Sequence, residues 1–341
     1  MNERAALARP PDATMAATDI VRCELCPRAC RIAPGRRGDC RVRVNLDGRL
    51  AALTYGHPCA VHVDPIEKKP FYHVLPGAPV LSLATAGCNL HCRNCQNWEI
   101  SQRDPEEVDA AALPPAEVAA LARRESCPAV AYTYTEPLVF YEYTFDCCEH
   151  VRAAGLRNLA VTAGYLNEAP LRDLYRRLDA VKVDFKAMSE SFYRDVCGAT
   201  LRPVLRAMEL ARELVPWLEI CHLVIPTLND RDGDFAAVAR WVAAHLGRDT
   251  PLHLSRFFPQ YRMRHLPPTP ATTLERARAI ARAEGLRHIY VGNVAVEGGE
   301  DTVCPACGAA LIRRSLYRVA ENRLRSGACP DCGERIPGLW E

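Results

Sequence analysis

The sequence predicts an α/β fold, a parallel sheet rolled into a partial or complete (β/α) barrel, with small Cys-rich metal-binding segments at both ends. Three observations predict it. Short apolar or β-branched runs recur at 79–85, 129–134, 157–162, 180–185, 217–225, 251–257 and 288–292. Helix-period patterns fill most of the gaps between them, and strands alternating with helices of this length build βαβ units. A polar cluster stands just past the end of each run, where barrels and doubly wound sheets keep their function.

Residues 1–20 mix Ala, Pro, Arg, Asp and Glu without an apolar centre, and read as a flexible leader rather than a secretory signal. Residues 21–78 form an N-terminal Cys-rich segment. Residues 79–299 form the barrel, and residues 300–341 a second Cys-rich segment. Within the barrel, Pro114-Pro115 opens a helix that runs through Arg124. Leu171-Leu174-Leu178, Leu205-Met208-Leu210-Leu214, Phe235-Val238-Val242 and Leu274-Ala277-Ala281 repeat at about 3.6 residues, one helix each.

Composition narrows the function. The formal charge is +2, so no strong nucleic-acid or membrane-surface footprint is indicated. No apolar run reaches the roughly 20 residues that cross a bilayer. Seventeen cysteines in a chain of this size, most at metal-ligand spacings, fit metal sites in a reducing, cytoplasmic compartment. Of 43 basic residues only four are lysine: Lys68, Lys69, Lys182 and Lys186. In a chain that otherwise uses arginine for solvated charge, these lysines point to a specific use. Lys68 and Lys69 sit in a Pro-bounded loop before the first strand. They could meet an anionic substrate or partner, or form a solvated basic loop.

The central signal is Cys88-x3-Cys92-x2-Cys95, directly after the first run. Thiolates bind iron–sulfur clusters, and three of them leave the fourth iron of a cubane open for chemistry. The competing reading is a structural zinc site completed by His91 or a distant cysteine. Glu136, after the second run, could accept hydrogen bonds from a substrate ammonium, or be a surface acid before a helix-starting Pro137. Asp184 and Lys186 share one side of an extended segment, as binding residues or as a strand-end ion pair.

The Cys88-x3-Cys92-x2-Cys95 motif and its strand-end address resemble the radical S-adenosylmethionine (SAM) enzymes, over roughly residues 75–298. The resemblance implies a barrel of the radical SAM type and a [4Fe–4S] cluster on Cys88, Cys92 and Cys95. It implies that SAM chelates the open iron and is cleaved reductively, so that a hydrogen atom is taken from a substrate. The implied electron donor is a flavodoxin or ferredoxin. Glu136-Pro137 matches the end of a Gly-Gly-Glu-Pro-like motif that holds the methionine amino group, with Tyr134-Thr135 in place of the glycines. Asp184-x-Lys186 is similar to an Asp-x-Lys pair that would serve the ribose hydroxyls and the methionine carboxylate. Thr162-Ala163-Gly164 departs from a Thr-Asn-Gly motif, and Ile225-Pro226-Thr227 from an Ile-Pro-Gly turn near the adenine. Asn94 stands where an aromatic is usual, which leaves adenine packing to other groups such as Trp98.

Cys23, Cys26, Cys30 and Cys40 supply enough thiols to close a second metal site, zinc or iron–sulfur. Cys304-Pro-Ala-Cys307-Gly and Cys329-Pro-Asp-Cys332-Gly read as a zinc ribbon, with an additional iron–sulfur cluster as the alternative. Cys127, Cys147, Cys148, Cys197 and Cys221 lack ligand spacing and read as buried residues or free thiols. The whole chain is similar to one branch, the radical SAM component of the AmmeMemoRadiSam system, itself similar to pyruvate formate-lyase activating enzymes. The carrying phrases are Cys26-Pro27-Arg28-Ala29-Cys30, Asp64-Pro65-Ile66-Glu67-Lys68-Lys69-Pro70, Cys95-Gln96-Asn97-Trp98-Glu99-Ile100-Ser101 and Arg256-Phe257-Phe258-Pro259-x-Tyr261. The resemblance implies an activase-like oxidoreductase whose substrate is a partner protein or another molecule. The alternative class is a non-catalytic zinc or iron–sulfur scaffold that binds partners.

Overall fold

A computed structural model describes residues 20–341. The leader expected over residues 1–20 lies outside these, apart from Ile20. Two small ribbons come first: β1 (Val21–Arg22) pairs with β2 (Arg31–Ile32), and β3 (Arg43–Leu46) with β4 (Arg49–Ala52). The main sheet follows, from β5 (Ala60–Pro65) and β6 (Pro79–Ala84) through β7 (Ala129–Tyr132), β8 (Arg157–Thr162) and β9 (Ala180–Phe185). It ends with β10 (Trp217–Val224), β11 (Leu252–Arg256) and β12 (Ile289–Gly292). These eight strands lie side by side in chain order, with β5 and β12 as the two edges. The sheet is therefore open, and the partial barrel is the right form of the expectation. Strands β6 to β12 are parallel, whereas β5 runs antiparallel to β6, Ala60 opposite Ala84. Seven of the eight were readable as apolar runs. The alternation in β5 is weak, with His62 and Val63 exposed, and it lies within the N-terminal Cys-rich segment.

The helices are α1 (Trp98–Ser101), α2 (Pro115–Arg124), α3 (Tyr141–Ala153), α4 (Glu168–Tyr175), α5 (Glu190–Phe192), α6 (Leu201–Leu214), α7 (Asp232–His245) and α8 (Ala271–Ala283). Pro115 starts α2 at a position where its missing N–H costs nothing. The sequence reading missed α3. Its buried stripe is Tyr143, Cys147 and Val151, flanked by Thr144 and Cys148, so cysteines and an aromatic carry the helical period there. Cys127, Cys147, Cys148, Cys197 and Cys221 are all buried, as expected.

Two cores hold the sheet. Outside, Val181, Val183 and Phe185 of β9 pack with helix residues such as Val204 and Val238. Inside, Val80, Ala129, Leu159 and Ala180 pack on Ile66, Phe71 and Val74. The segment after β5 thus plugs the floor of the barrel. The chain's C-terminal residues lock that plug: Leu339 exchanges backbone hydrogen bonds with His73 and Leu75. The C-terminal ribbon is a three-stranded sheet of β13 (Thr302–Val303), β14 (Ala310–Ser315) and β15 (Arg318–Asn322). No helix among the described residues is long and apolar enough to cross a membrane.

Candidate active site and metal centres

The three central cysteines occupy the loop between β6 and α1, at the C-terminal end of the first parallel strand. Four contacts fix this loop. Gly87 takes a φ of +88°, and a side chain there would strike Val42 and the Cys40 carbonyl at about 2.4–2.5 Å. Arg28 donates to the carbonyls of Asn89 and Gly198. The amides of His91 and Arg93 donate to Cys197 and Val196, in a π-helix at Tyr193–Cys197. Such i→i+5 turns are rare and often mark functional sites. Both ribbons of the N-terminal segment and the α5–α6 region therefore hold the cysteine loop.

Cys88, Cys92 and Cys95 line a cavity of about 600 Å³ above the plugged floor, within the usual size for a small-molecule site. Glu136, Asp184 and Lys186 line the same cavity, from the ends of β7 and β9. The structure thus brings together all six residues singled out for the cluster and SAM. Glu136 is buried: its Oε1 accepts from the Thr162 hydroxyl at 2.6 Å and the Leu138 amide at 3.2 Å, and its Oε2 from the Ala163 amide at 2.7 Å. The Thr162-Ala163-Gly164 turn, which lacks an amide side chain, orients this acid instead. Burial pushes Glu136 up to about 7, against the pull of those donors. Asp184 lies between two ammonium groups, Lys182 at 2.5 Å and Lys186 at 3.5 Å. Burial opposes its charge, but the two lysines hold it below the usual carboxylate range.

These residues fit an iron–sulfur cluster better than a closed zinc site. His91 spends both ring nitrogens, on Asp39 at 2.7 Å and Gln102 at 3.0 Å, and is not a ligand. Among the described residues, Cys304, Cys307, Cys329 and Cys332 are the one set whose ligand atoms all lie within 4.8 Å of each other. The central three are spread wider, which suits thiolates that surround several irons. Ser101 reaches Cys95 at 3.2 Å, and the Leu90 amide donates to Cys88 at 3.4 Å. Cys197 hydrogen-bonds Cys92 and, with Lys186, holds its thiol down to about 7 against burial. Asn94 Oδ1 is buried in this cavity without a hydrogen-bond partner, an acceptor left for a ligand donor. Trp98 does not serve the cavity. Its ring stacks on Tyr261, centroids 5.2 Å apart, so the expectation of adenine packing on Trp98 is corrected.

The C-terminal cysteines form a tight cluster of four sulfurs that could hold one metal ion. Cys304 and Cys332 sulfurs are 3.6 Å apart, and those of Cys307 and Cys329 3.7 Å. Four sulfurs about 2.3 Å from one tetrahedral ion would be separated by about 3.8 Å. Amides of Ala309, Asp331 and Glu334 donate to the sulfurs. At the N-terminal group, Cys23, Cys26 and Cys40 are buried and Cys30 half-buried. Cys23 and Cys40 lie within electrostatic reach of Cys26, whose thiol burial raises to about 11.

A family profile described as the Radical SAM superfamily matches residues 82–240. An uncharacterized protein of Methanocaldococcus jannaschii is 44% identical over 318 residues, covering 93% of this chain and 95% of its own length. Among solved structures, Streptococcus suis SuiB is similar at a TM-score of 0.50 and 10% identity, over 67% of this chain and 52% of SuiB. A domain of pyruvate-formate lyase-activating enzyme from Bacteroides vulgatus reaches 0.43 and 15%, over 48% of this chain and 98% of that domain. The chain contains a radical SAM superfamily domain over residues 82–240. That domain implies a [4Fe–4S] cluster and SAM as cofactors, and the C-terminal cysteines could bind an additional metal.

Proposed function

We propose that this protein is an activase-like radical SAM oxidoreductase. Cys88, Cys92 and Cys95 would hold the [4Fe–4S] cluster. Glu136 would accept the methionine ammonium, Lys186 would pair with the methionine carboxylate, and Asp184 would accept from the ribose hydroxyls. A cluster held by Cys88, Cys92 and Cys95 would supply the one electron needed to cleave SAM reductively, with Glu136, Asp184 and Lys186 holding the SAM for hydrogen-atom abstraction from a substrate.

The chain's own residues prepare this chemistry. Thr162 and the Ala163 amide orient Glu136 toward the cavity, and an ammonium there would keep the acid ionised. The π-helix and the N-terminal segment fix the loop that carries Cys88, Cys92 and Cys95. The single observation that carries the reading is the convergence of three thiols, Glu136, Asp184 and Lys186 on one cavity from three strand ends. The Cys304, Cys307, Cys329 and Cys332 group would hold structural zinc. Cys23, Cys26, Cys30 and Cys40 would hold a second metal, and a cytoplasmic flavodoxin or ferredoxin would supply the electron. The likeness to the AmmeMemoRadiSam branch rests on phrases spread along the whole chain.

The test is anaerobic reconstitution followed by reduction. About four irons per chain are expected at the central motif, with SAM converted to methionine and 5′-deoxyadenosine. Iron-loaded protein that never consumes SAM would sink the proposal.

A further inference from the structure

All four lysines of this chain line the central cavity, and among the described residues no arginine does, although the chain carries 43 basic residues. Arginine is this chain's default cation. Its absence from the cavity, and the presence there of every lysine, calls for a compact ammonium rather than a planar fork. An ammonium is a point charge with three rotatable donors that can meet a small oxyanion from any side.

The lysines come as two clusters. In the first, Lys68 and Lys69 both hold Asp64, Lys68 at 2.8 Å and Lys69 on the other oxygen. Tyr134 donates to Asp64 and accepts from Lys69 at 3.1 Å. In the second, Lys182 and Lys186 both hold Asp184. Lys69 and Lys182 are the buried members, with 2% and 5% of their side chains exposed. Charged groups this deep require compensation. Each cluster has two positive charges on one carboxylate.

The remaining acids on the cavity wall are engaged elsewhere. Glu67 faces Arg314 and the Gly77 amide, Glu300 accepts from Tyr72, and Glu136 is the acid assigned to the SAM ammonium. If Lys186 pairs with the methionine carboxylate, the second cluster is balanced, while the first keeps one positive charge in excess, shared between half-exposed Lys68 and buried Lys69. Burial is the main cause that lowers the Lys69 ammonium to about 8 against the pull of Asp64, and Lys68 and then Lys182 add to it, so Lys182 lies within electrostatic reach of Lys69 on the same cavity wall.

We infer that the cavity holds a substrate subsite for a single oxyanionic group, a carboxylate or a phosphate, bound between Lys69 and Lys182. This rests on the cofactor assignment above, because Lys186 is reserved there for SAM. Lys69 uses two of its three donors on Asp64 and Tyr134 and keeps one for the anion. Tyr134 fixes the direction of that donor. Its backbone is held at a φ of +64°, a strained conformation for a bulky residue, with its carbonyl accepting from Asn97 at 2.7 Å.

A chain with four lysines allows a direct test. The reconstituted protein is treated with acetic anhydride in the presence of SAM, and the rate at each lysine is read by mass spectrometry. Three additives are compared: inorganic phosphate, succinate and the neutral succinamide. Phosphate or succinate is expected to slow acetylation of Lys69 and Lys182 by about tenfold at roughly ten times its dissociation constant, with little change at Lys68. Protection by phosphate alone assigns a phosphate-type substrate; protection by succinate alone assigns a carboxylate. Equal protection by succinamide, equal slowing of all lysines, or no protection by either anion overturns the subsite. The experiment involves no SAM cleavage, so its failure leaves the radical SAM reading standing, and protection in a protein that never cleaves SAM would sink only that reading.

Discussion

At the scale of single residues, Glu136 is the clearest case of a group prepared for a ligand. Three protein donors aim it, yet burial keeps its carboxyl at about 7, well above the usual carboxylate range. With the folded-state value raised, the group contributes stability below the ordinary carboxylate range and loses it as pH rises through about 7. The ligand-free protein should therefore lose stability across that window, and Glu136→Gln should flatten the slope in denaturation curves measured at several pH values. A methionine ammonium prefers the ionised acid. SAM binding by the wild type should tighten as pH rises through about 7. Glu136→Gln should weaken it roughly ten- to hundredfold by equilibrium binding, the size of a charge-assisted hydrogen bond. Of this site, the residue types were legible in the sequence. The saturation of Glu136 by Thr162 and Ala163 was not, because the two turns are 26 residues apart and meet only across neighbouring strands.

At the scale of elements, β9 shows how alternation builds the site. Val181, Val183 and Phe185 face the helices, while Lys182, Asp184 and, just past the strand, Lys186 face the cavity. The pair Asp184 and Lys186 was readable from that period. Lys182 follows from the same period, and the concentration of lysine in two places was its sequence signal. The floor depends on a residue that no motif marks. Glu219 on β10 accepts from the amides of Tyr72 and His73, from the Trp217 indole at 3.0 Å, and from His253 at 2.6 Å. Burial opposes its charge, yet His253, His73 and the Tyr72 amide hold it down to about 2. Its stabilising effect is present above the ordinary carboxylate range and is lost as pH falls toward about 2. Glu219→Ala leaves several buried donors unpaired and should cost about 3–5 kcal/mol in chemical denaturation. Glu219→Gln, which retains one acceptor oxygen, should cost less.

At the scale of the whole molecule, the two terminal Cys-rich segments are structural parts of the site. The N-terminal ribbons pack on the cysteine loop through Arg28 and through the Gly87–Cys40 contact. The C-terminal ribbon contributes Tyr317 to the cavity wall, and its Arg314 lies wholly buried, 3.7 Å from Glu67 and 4.4 Å from the Tyr72 ring. A metal ion held by the four cysteines of this ribbon would support one wall of the cavity. Cys329→Ser should abolish zinc binding, lower the melting temperature and leave the iron content of the central motif intact, as read by elemental analysis and calorimetry. Loss of iron together with zinc would contradict the assignment of separate centres.

The sequence by itself determined the strand–helix alternation, seven strands of the main sheet, the cysteine spacings at three places and the identities of Glu136, Asp184 and Lys186. These are local signals: a period of two or 3.6 residues, or thiols a few residues apart, is written in contiguous chain. Tertiary structure alone decided that the sheet stays open behind an antiparallel edge strand and that residues 66–75 plug its floor. It alone showed that Trp98 belongs to Tyr261 and that four lysines separated by up to 118 positions surround one space. Those outcomes depend on the burial of charge and the packing of distant segments, which no stretch of sequence carries alone.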